Sequence, residues 1–274
     1  QVYDLISNFH IGGVVLDREN DNFVSQPLTL EGARDLISSL QRIEANGAQS
    51  EQVDAASGES FVPSYIPLFV AISQDGDGHP LDQVLNVLSP QANLMTLGAT
   101  WDVDLARRSG ELLGMELSAM GVNMMLGPSL DVLESPSPQS AGDLGVRSFG
   151  GDPYWVGQLG QAYIAGVHDG SSGRIAVVAE HLPGYGSADR PPDEEIPTIR
   201  KSLSQLTQIE LVPFFAASGN APNEASQADA MLMAHIRYLG FQGNLRATTP
   251  PVSFDPQAFG ELMEFAEEEG IPVD

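Results

Sequence analysis

The chain has 274 residues, 42% of them hydrophobic, and it carries 37 acidic residues against 12 basic ones, for a formal net charge of −25. This length suits one α/β domain of barrel size, which needs about 250 residues. The charge excludes a nucleic-acid backbone or an anionic membrane surface as a partner, because both would be repelled. The absence of cysteine excludes disulfides and thiolate metal ligands.

No apolar stretch is long enough to span a membrane, and the first residues show no signal-peptide pattern. The chain is therefore expected to be soluble and not inserted in a membrane. The compartment stays open, with a secreted or cell-surface location slightly favoured over the cytoplasm. Acidic runs such as the one at 267–269 are interpreted as solvated faces. The oligomeric state is not predictable from these features.

Short apolar runs alternate along the chain with longer helical patterns. The runs predict strands at 11–16, 67–72, 122–126, 175–179, 230–234 and 271–273. They are apolar throughout instead of alternating with polar residues, which is typical of strands buried on both faces of a parallel sheet.

Helices are predicted between these strands, at 30–45, 102–120 and 203–217. Two more begin at Asp-Pro pairs, at 152–153 and 255–256, where an N-cap residue precedes a proline in the first helical position. Strand–helix alternation without a long polar linker predicts a parallel α/β sheet. Length favours a TIM-type (β/α)8-like barrel over a doubly wound sheet. We expect a single domain over 1–274, with surface insertions near 46–65 and 134–145.

Polar side chains follow the predicted strands, at the points where the strands end. In a barrel these ends face the active site, so the side chains are expected to converge on one rim. Carboxylates, hydroxyls and imidazoles on one rim suit a neutral polyhydroxylated ligand, although capping of the next helix explains any single one of them. In chain order these residues are Ser73, Asp75, Asp131, Glu180, His181, His235 and Asp274.

Other site types find little support. The run at 73–78 is similar to a calcium-binding loop, but the twelfth position is Val84, where a bidentate glutamate is needed. Zinc-binding histidine pairs and the G-x-S-x-G motif of serine hydrolases are both missing from the sequence. A Schiff-base lyase would need a lysine at a strand end, and the one lysine, Lys201, lies in a polar segment before a helix. No metal or cofactor is predicted.

Two motifs in order resemble a known family. The segment RSFGGDP at 147–153 is followed, after 26 residues, by EHLPGYG at 180–186. This pair resembles the N-terminal domain of glycoside hydrolase family 3, whose pattern is R-x-F-G-x-D-P followed by K-H-F-P-G-H-G. The segments GPSLDV at 127–132, QIELVPFF at 208–215 and MAHI at 233–236 support the resemblance.

The resemblance implies a (β/α)8-like barrel that is incomplete at both ends in this sequence. It also implies a retaining β-glycosidase that acts on β-glucosides or β-N-acetylglucosaminides through a covalent glycosyl-enzyme. It implies that Arg147 and His181 bind the sugar, with Asp131 and His235 nearby. The second-strand motif of the family places Ser73 and Asp75 in the substrate-binding set. These roles come from the resemblance alone.

The catalytic residues follow less directly. The family nucleophile is an aspartate at a strand end, and its match is Asp274. Asp189 and Glu180 are the candidates for the general acid, since Asp189 follows the P-G-Y-G turn and Glu180 ends a buried strand.

Two departures from the family pattern favour an alternative. Glu180 stands where the family has a lysine, so three donors and a positive charge are replaced by acceptors and a negative charge. Ser73 replaces an aspartate that grips the substrate in the family. The alternative is a catalytically degenerate barrel that binds carbohydrate without hydrolysing it.

Overall fold

The computed structural model describes residues 1–24, 28–54, 56–78, 82–137, 143–190 and 195–268. Short strands and longer helices alternate through these ranges. The strands are β1 (Gly13–Val15), β2 (Gln52–Val53), β3 (Ser60–Phe61), β4 (Phe69–Ser73), β5 (Met124–Ser129), β6 (Ala176–Leu182), β7 (Thr198–Ile199), β8 (Ala230–Met233) and β9 (Arg237–Tyr238).

The helices lie between and beyond the strands of the main sheet. They are α1 (Val2–Phe9), α2 (Thr29–Gly47), α3 (Leu94–Thr100), α4 (Val103–Met120), α5 (Pro153–Ser171), α6 (Leu203–Gln205), α7 (Val212–Ala216), α8 (Leu239–Gln242) and α9 (Pro256–Glu268). A π-helical segment, Leu206–Glu210, separates α6 from α7, and four short 3-10 segments lie at Arg18–Asn20, Gly145–Arg147, Glu224–Ser226 and Val252–Phe254. No helix within the described ranges is long and apolar enough to cross a bilayer.

Five strands form one parallel sheet in the order β1-β4-β5-β6-β8, which is also their order along the chain. A doubly wound sheet would reverse direction at a switch point, whereas a barrel adds each strand beside the last. The described sheet is therefore an open half-barrel, and the predicted barrel-type α/β fold is confirmed. The first five predicted strands all occur, and the sixth, at 271–273, lies outside the described residues.

The two smaller sheets each contain two strands. β2 and β3 pair antiparallel inside the segment at 46–65, and β7 pairs with β9 in parallel. Of the second predicted insertion, at 134–145, residues 138–142 lie outside the described ranges. The single domain and its two insertions stay predictions.

Helices α4 and α5 pack closely through glycines. A Cβ atom added at Gly110 or Gly114 would collide with the backbone of α5, and one added at Gly166 or Gly170 would collide with the backbone of α4. Because these helices precede and follow β5, their close contact fixes the position of the strand that leads to Asp131. Predicted helices match α2, α4, α5 and α9, whereas α1 and α3 were not predicted.

The prediction of one continuous helix at 203–217 is wrong. The Leu211 N–H donates to the Leu206 carbonyl oxygen at 2.9 Å, a spacing of five residues instead of four. Pro213 follows two residues later, and its missing N–H removes a regular helical bond. The widened turn carries Glu210 into the interior, where it is fully buried.

His168 on α5 connects three parts of the chain. Its Nδ1 lies 2.8 Å from the Ala225 carbonyl oxygen, and its Nε2 lies 3.0 Å from Oδ2 of Asp229. Both partners are acceptors, so both ring nitrogens need a proton and the imidazole is charged. The bond to Asp229 raises the pKa of His168, against the effect of burial, and Asp229 also accepts the Val177 N–H of β6.

The raised pKa of His168 predicts a pH-dependent stability. Its contribution is fully present below the pKa of an unfolded imidazole, about 6.5, and is lost as the pH rises through the higher folded value. At about pH 5.5 we expect His168→Gln to lower the free energy of unfolding by on the order of 1 kcal/mol. The effect is modest because Asp229 is half exposed. The difference should shrink in alkaline solution. Urea denaturation across this range tests it, with His235→Gln as control, and a difference independent of pH would contradict the charged state.

Candidate active site

A cavity of about 140 Å³ opens at the carboxyl-terminal edge of the main sheet. Three neighbouring strands, β4, β5 and β6, deliver residues to it at their ends, as expected for a parallel sheet. The described residues that line it are Ser73, Asp75, Asp82, Ser129, Leu144, Arg147, Glu180 and His181. Five of the predicted site residues therefore meet in one place: Ser73, Asp75, Arg147, Glu180 and His181.

Asp131 does not line this cavity but contacts His181, which does, and Asp131 is fully buried. Its Oδ2 lies 2.8 Å from Nδ1 of His181 and accepts a hydrogen bond from Ser129 Oγ at 2.9 Å. Its Oδ1 accepts the backbone N–H of Tyr185. The carboxylate thus joins the end of β5 to the P-G-Y-G turn after β6, and it orients the His181 ring.

His181 carries a positive charge at neutral pH. Burial works against that charge, but the carboxylates of Glu180 and Asp131 outweigh it and raise the pKa of His181 to about 9. The Nε2 atom lies 3.7 Å from Oε2 of Glu180. With Nδ1 committed to Asp131, the Nε2 proton is the one that faces the cavity.

Asp82 shapes the loop that carries Asp75. Its carboxylate accepts the backbone N–H groups of Asp75 at 2.8 Å, Gly76 at 3.1 Å and Gly78 at 2.9 Å. This network turns the chain back after β4 and holds Asp75 at the cavity. Sequence reasoning missed Asp82, because nothing in its local pattern reveals which backbone groups it will meet.

Asp75 and Glu180 are two carboxyl groups with raised pKa values in the same cavity. Burial raises the pKa of Asp75 to about 7, and the negative charges of Glu180, Asp82 and Asp77 add to the shift. Burial also raises the pKa of Glu180, although the charges of His181 and Arg147 oppose this. The cavity therefore holds a transferable proton near neutral pH, as general acid catalysis requires.

Arg147 supplies the second positive charge of the cavity. It ends the 3-10 segment Gly145–Arg147, and its Nε donates to the Leu144 carbonyl oxygen at 3.3 Å. Its guanidinium lowers the pKa values of both Asp75 and Glu180. Arg147 and the charged His181 are the two cationic donors that a polyhydroxylated ligand would meet here.

Two other predicted residues, Asp189 and His235, do not line the cavity. Asp189 pairs with Arg190 at 3.0 Å and accepts the Thr198 N–H at 2.9 Å. Burial would raise its pKa, but these bonds outweigh burial and lower it. His235 is exposed, and its Nδ1 lies 2.9 Å from Ser253 Oγ. Asp274 lies outside the described residues.

An ion pair beside the turn was also missed. Lys201 Nζ lies 2.6 Å from Oε1 of the buried Glu210 and 3.0 Å from Oε2 of Glu134. A Cβ atom at Gly184, whose φ is 130°, would collide with the Glu210 side chain, so Glu210 packs directly against the P-G-Y-G turn. The segment QIELVPFF contains Glu210, but only the widened helical turn brings it to this position.

Comparisons with known proteins identify the family of the chain. Residues 1–264 match the family model described as the glycosyl hydrolase family 3 N terminal domain. A beta-hexosaminidase A from Pseudoalteromonas piscicida is 26% identical over 245 residues, covering 87% of this chain and 35% of the relative. A beta-hexosaminidase from Thiobacillus denitrificans is 30% identical over 209 residues, covering 74% of this chain and 54% of the relative.

Solved structures share the fold. A glycoside hydrolase family 3 beta-N-acetylglucosaminidase from Paenibacillus sp. str. FPU-7 is 26% identical, with a TM-score of 0.75 over 98% of this chain and 43% of that protein. A beta-N-acetylhexosaminidase from Beutenbergia cavernae, at 20% identity, has a TM-score of 0.72 over 99% of this chain and 70% of that protein. The chain spans about a third to a half of the length of the two curated relatives described above.

The charge on His181 is open to direct measurement. Because Asp131 and Glu180 both raise its pKa, Asp131→Asn and Glu180→Gln should each lower that pKa from about 9 by at least about one unit. The pH titration of the His181 ring nitrogens by ¹⁵N NMR measures the shift. Glu180→Gln leaves the buried bonds to Asp131 in place, so it tests the charge effect without disturbing the turn.

A third variant, Glu268→Gln on α9, removes one exposed carboxylate and should leave the His181 pKa unchanged. An ordinary imidazole pKa near about 6.5 in the parent protein would contradict the charge assignment.

Proposed function

The chain belongs to glycosyl hydrolase family 3, and from this premise we propose that it carries the sugar-binding face of a retaining β-glycosidase. The proposed substrates are β-linked sugars, with β-N-acetylglucosaminides favoured over β-glucosides. The names of the relatives support this preference, since those with the highest similarity described above are hexosaminidases. The activity of the whole protein is part of the proposal, because the chain covers only part of those relatives.

One observation carries the proposal. The cavity combines two cationic donors, Arg147 and His181, with two carboxyl groups of raised pKa, Asp75 and Glu180. The donors suit the oxygen atoms of a sugar, and a carboxyl group with a raised pKa suits protonation of the departing glycosidic oxygen. Ser73 adds a hydroxyl to the same wall.

In the proposed mechanism, a carboxylate nucleophile attacks the anomeric carbon as the glycosidic C–O bond breaks. The proposed nucleophile is Asp274. Glu180 donates its proton to the leaving oxygen, and the resulting carboxylate then takes a proton from the water that hydrolyses the glycosyl-enzyme. Glu180 is preferred to Asp189 as the acid, since the surroundings of Asp189 favour its ionised form at neutral pH.

In the same proposal, Arg147 and His181 hold the sugar hydroxyls, and Asp75 accepts from or donates to a further hydroxyl as its own proton comes and goes. Asp131 acts through His181, which it orients at 2.8 Å. His235, two residues after the neighbouring strand β8, is proposed to contact an outer part of the substrate.

A second candidate function is sugar binding without hydrolysis. It is favoured by Glu180 itself, which stands where the family pattern has a lysine. A carboxylate in that position repels the neighbouring Asp75 and raises its pKa. Hydrogen bonding to the sugar hydroxyls would then be weaker, and the site would bind sugar without hydrolysing the glycosidic bond.

Removal of the proposed acid should separate these functions. Glu180→Gln is expected to lower kcat at least about 100-fold for a p-nitrophenyl β-N-acetylglucosaminide, because general acid catalysis contributes about that much or more. A 2,4-dinitrophenyl glycoside needs no protonation to leave, so the variant should release dinitrophenol from it at close to the parental kcat/KM. Its kcat should still fall, because hydrolysis of the glycosyl-enzyme needs Glu180 as the base. Asp189→Asn is the matched control and should retain activity within about twofold.

The opposite result, with loss of activity in Asp189→Asn alone, would transfer the acid role to Asp189. Binding of chitobiose by calorimetry, with no turnover of either aryl glycoside by the parent protein, would favour the second candidate function.

A charge reversal tests the substitution at position 180. We expect Glu180→Lys to tighten the binding of N-acetylglucosamine about tenfold or more, because it adds three donors and removes a charge that repels Asp75. Calorimetry measures the change in Kd. Glu268→Lys changes the net charge equally on the exposed face of α9 and should leave Kd unaltered. Equal or weaker binding by Glu180→Lys would contradict the proposed effect of Glu180.

A further inference from the structure

Three aromatic rings meet outside the cavity, where helices α4 and α5 begin. Trp101 ends α3 just before α4, and Tyr154 and Trp155 lie in the first turn of α5. The ring centroids of Trp101 and Trp155 are 5.1 Å apart, and those of Tyr154 and Trp155 are 5.7 Å apart, both pairs edge to face. The chain contains two tryptophans, so both lie in this aromatic cluster.

The cluster is open to solvent. Trp101 is 57% exposed and Tyr154 is 61% exposed. Large aromatic rings contribute most to stability when they are buried, so an exposed cluster of them marks a binding surface more often than a structural one. The edge-to-face contacts fix the rings relative to one another while leaving more than half of Trp101 and Tyr154 uncovered.

Trp101 also has an unfavourable backbone conformation. Its φ of 57° and ψ of 24° place it in the left-handed region, and its N–H donates to the Gly98 carbonyl oxygen at 3.1 Å. Helix ends of this kind usually carry glycine, because a bulky side chain is disfavoured there. A tryptophan therefore stands where glycine would be the more stable choice, and contact with a ligand would account for it.

A groove of about 470 Å³ lies on the surface of α4 and α5, and its lining starts at Val103, two residues after Trp101. Asp104, on α4, lies three residues after Trp101, and Gln158, on α5, lies one helical turn after Trp155. Both line the groove, as do Asn223 and the Arg107–Asp169 ion pair. Amide, carboxylate and guanidinium groups therefore lie within a few residues of the aromatic rings.

We propose that the aromatic cluster and this groove form a second carbohydrate site, distinct from the cavity, which binds a neutral oligosaccharide. The C–H face of a pyranose ring stacks on exposed aromatic rings, while its hydroxyls pair with amides and carboxylates. The formal net charge of −25 disfavours anionic ligands. A helix that follows a strand in a βαβ unit begins at the carboxyl edge of the sheet, so the cluster lies at the same end of the molecule as the cavity.

Fluorescence of the two tryptophans reports on this site directly. We expect N-acetylchitotetraose or cellotetraose, titrated into the full chain, to produce a saturable change in tryptophan emission. Trp101→Gly and Tyr154→Ala should each raise Kd at least about fivefold. Trp101→Gly should fold normally, because glycine suits the left-handed conformation at that position. Tyr65→Ala removes another half-exposed aromatic side chain and should leave Kd unchanged.

Arg147→Met distinguishes this site from the cavity. Oligosaccharide binding at the aromatic cluster should persist in that variant, whether or not the protein hydrolyses glycosides. Loss of binding in Arg147→Met, with binding retained in Trp101→Gly and Tyr154→Ala, would overturn the proposal. So would the absence of both an emission change and a calorimetric signal with either tetrasaccharide.

Discussion

The buried carboxylate of Asp131 is the interaction on which the candidate site depends. It has no contact with solvent, so its charge is tolerated only because three donors surround it: Ser129 Oγ, the Tyr185 N–H and Nδ1 of His181. These donors come from two different strand ends. The same bonds that offset the cost of burying Asp131 therefore hold the turn after β6 against β5 and set the direction of the His181 ring. The cavity takes its shape from that connection.

The balance of charge in the cavity follows from the same arrangement. Asp75, Asp82 and Glu180 line a small space in which the opposing charges are Arg147 and the imidazolium of His181. When carboxylates outnumber cations in such a space, a proton is retained on one of them. The excess of acid keeps His181 charged. Burial first, and then the neighbouring carboxylates, raise the pKa of Asp75 to about 7, so Asp75 is partly protonated at neutral pH. The glutamate in the place of a family lysine contributes to both effects.

The sequence predicted the five strands of the main sheet because buried parallel strands leave a local signature, a nearly continuous apolar run. The short strands of the two smaller sheets leave no such signature and were not predicted. The sequence also predicted five residues that line the cavity, since strand ends in a barrel share one face. The contributions of Asp82 and Glu210 could not be predicted. Asp82 acts on backbone groups of a preceding loop, and Glu210 reaches the turn through a π-helical segment; both depend on distant contacts, not on local pattern. The sequence also did not show that Asp189 pairs with Arg190 outside the cavity, because nothing in the local pattern identifies Arg190 as its partner.

The glycine contact between α4 and α5 has a consequence for how this protein can evolve. At Gly110, Gly114, Gly166 and Gly170, an added methyl group would meet backbone atoms, which cannot rotate away as a side chain can. Alanine at any one of these positions would force the two helices apart, and no single compensating substitution in the opposite helix could restore the contact. Single substitutions at these four positions are therefore expected to be selected against. Sequence change in this part of the chain is therefore expected mainly on the outward faces of the same two helices, near Trp101, Asp104 and Gln158. New ligand contacts could arise there without disturbing the contact between α4 and α5.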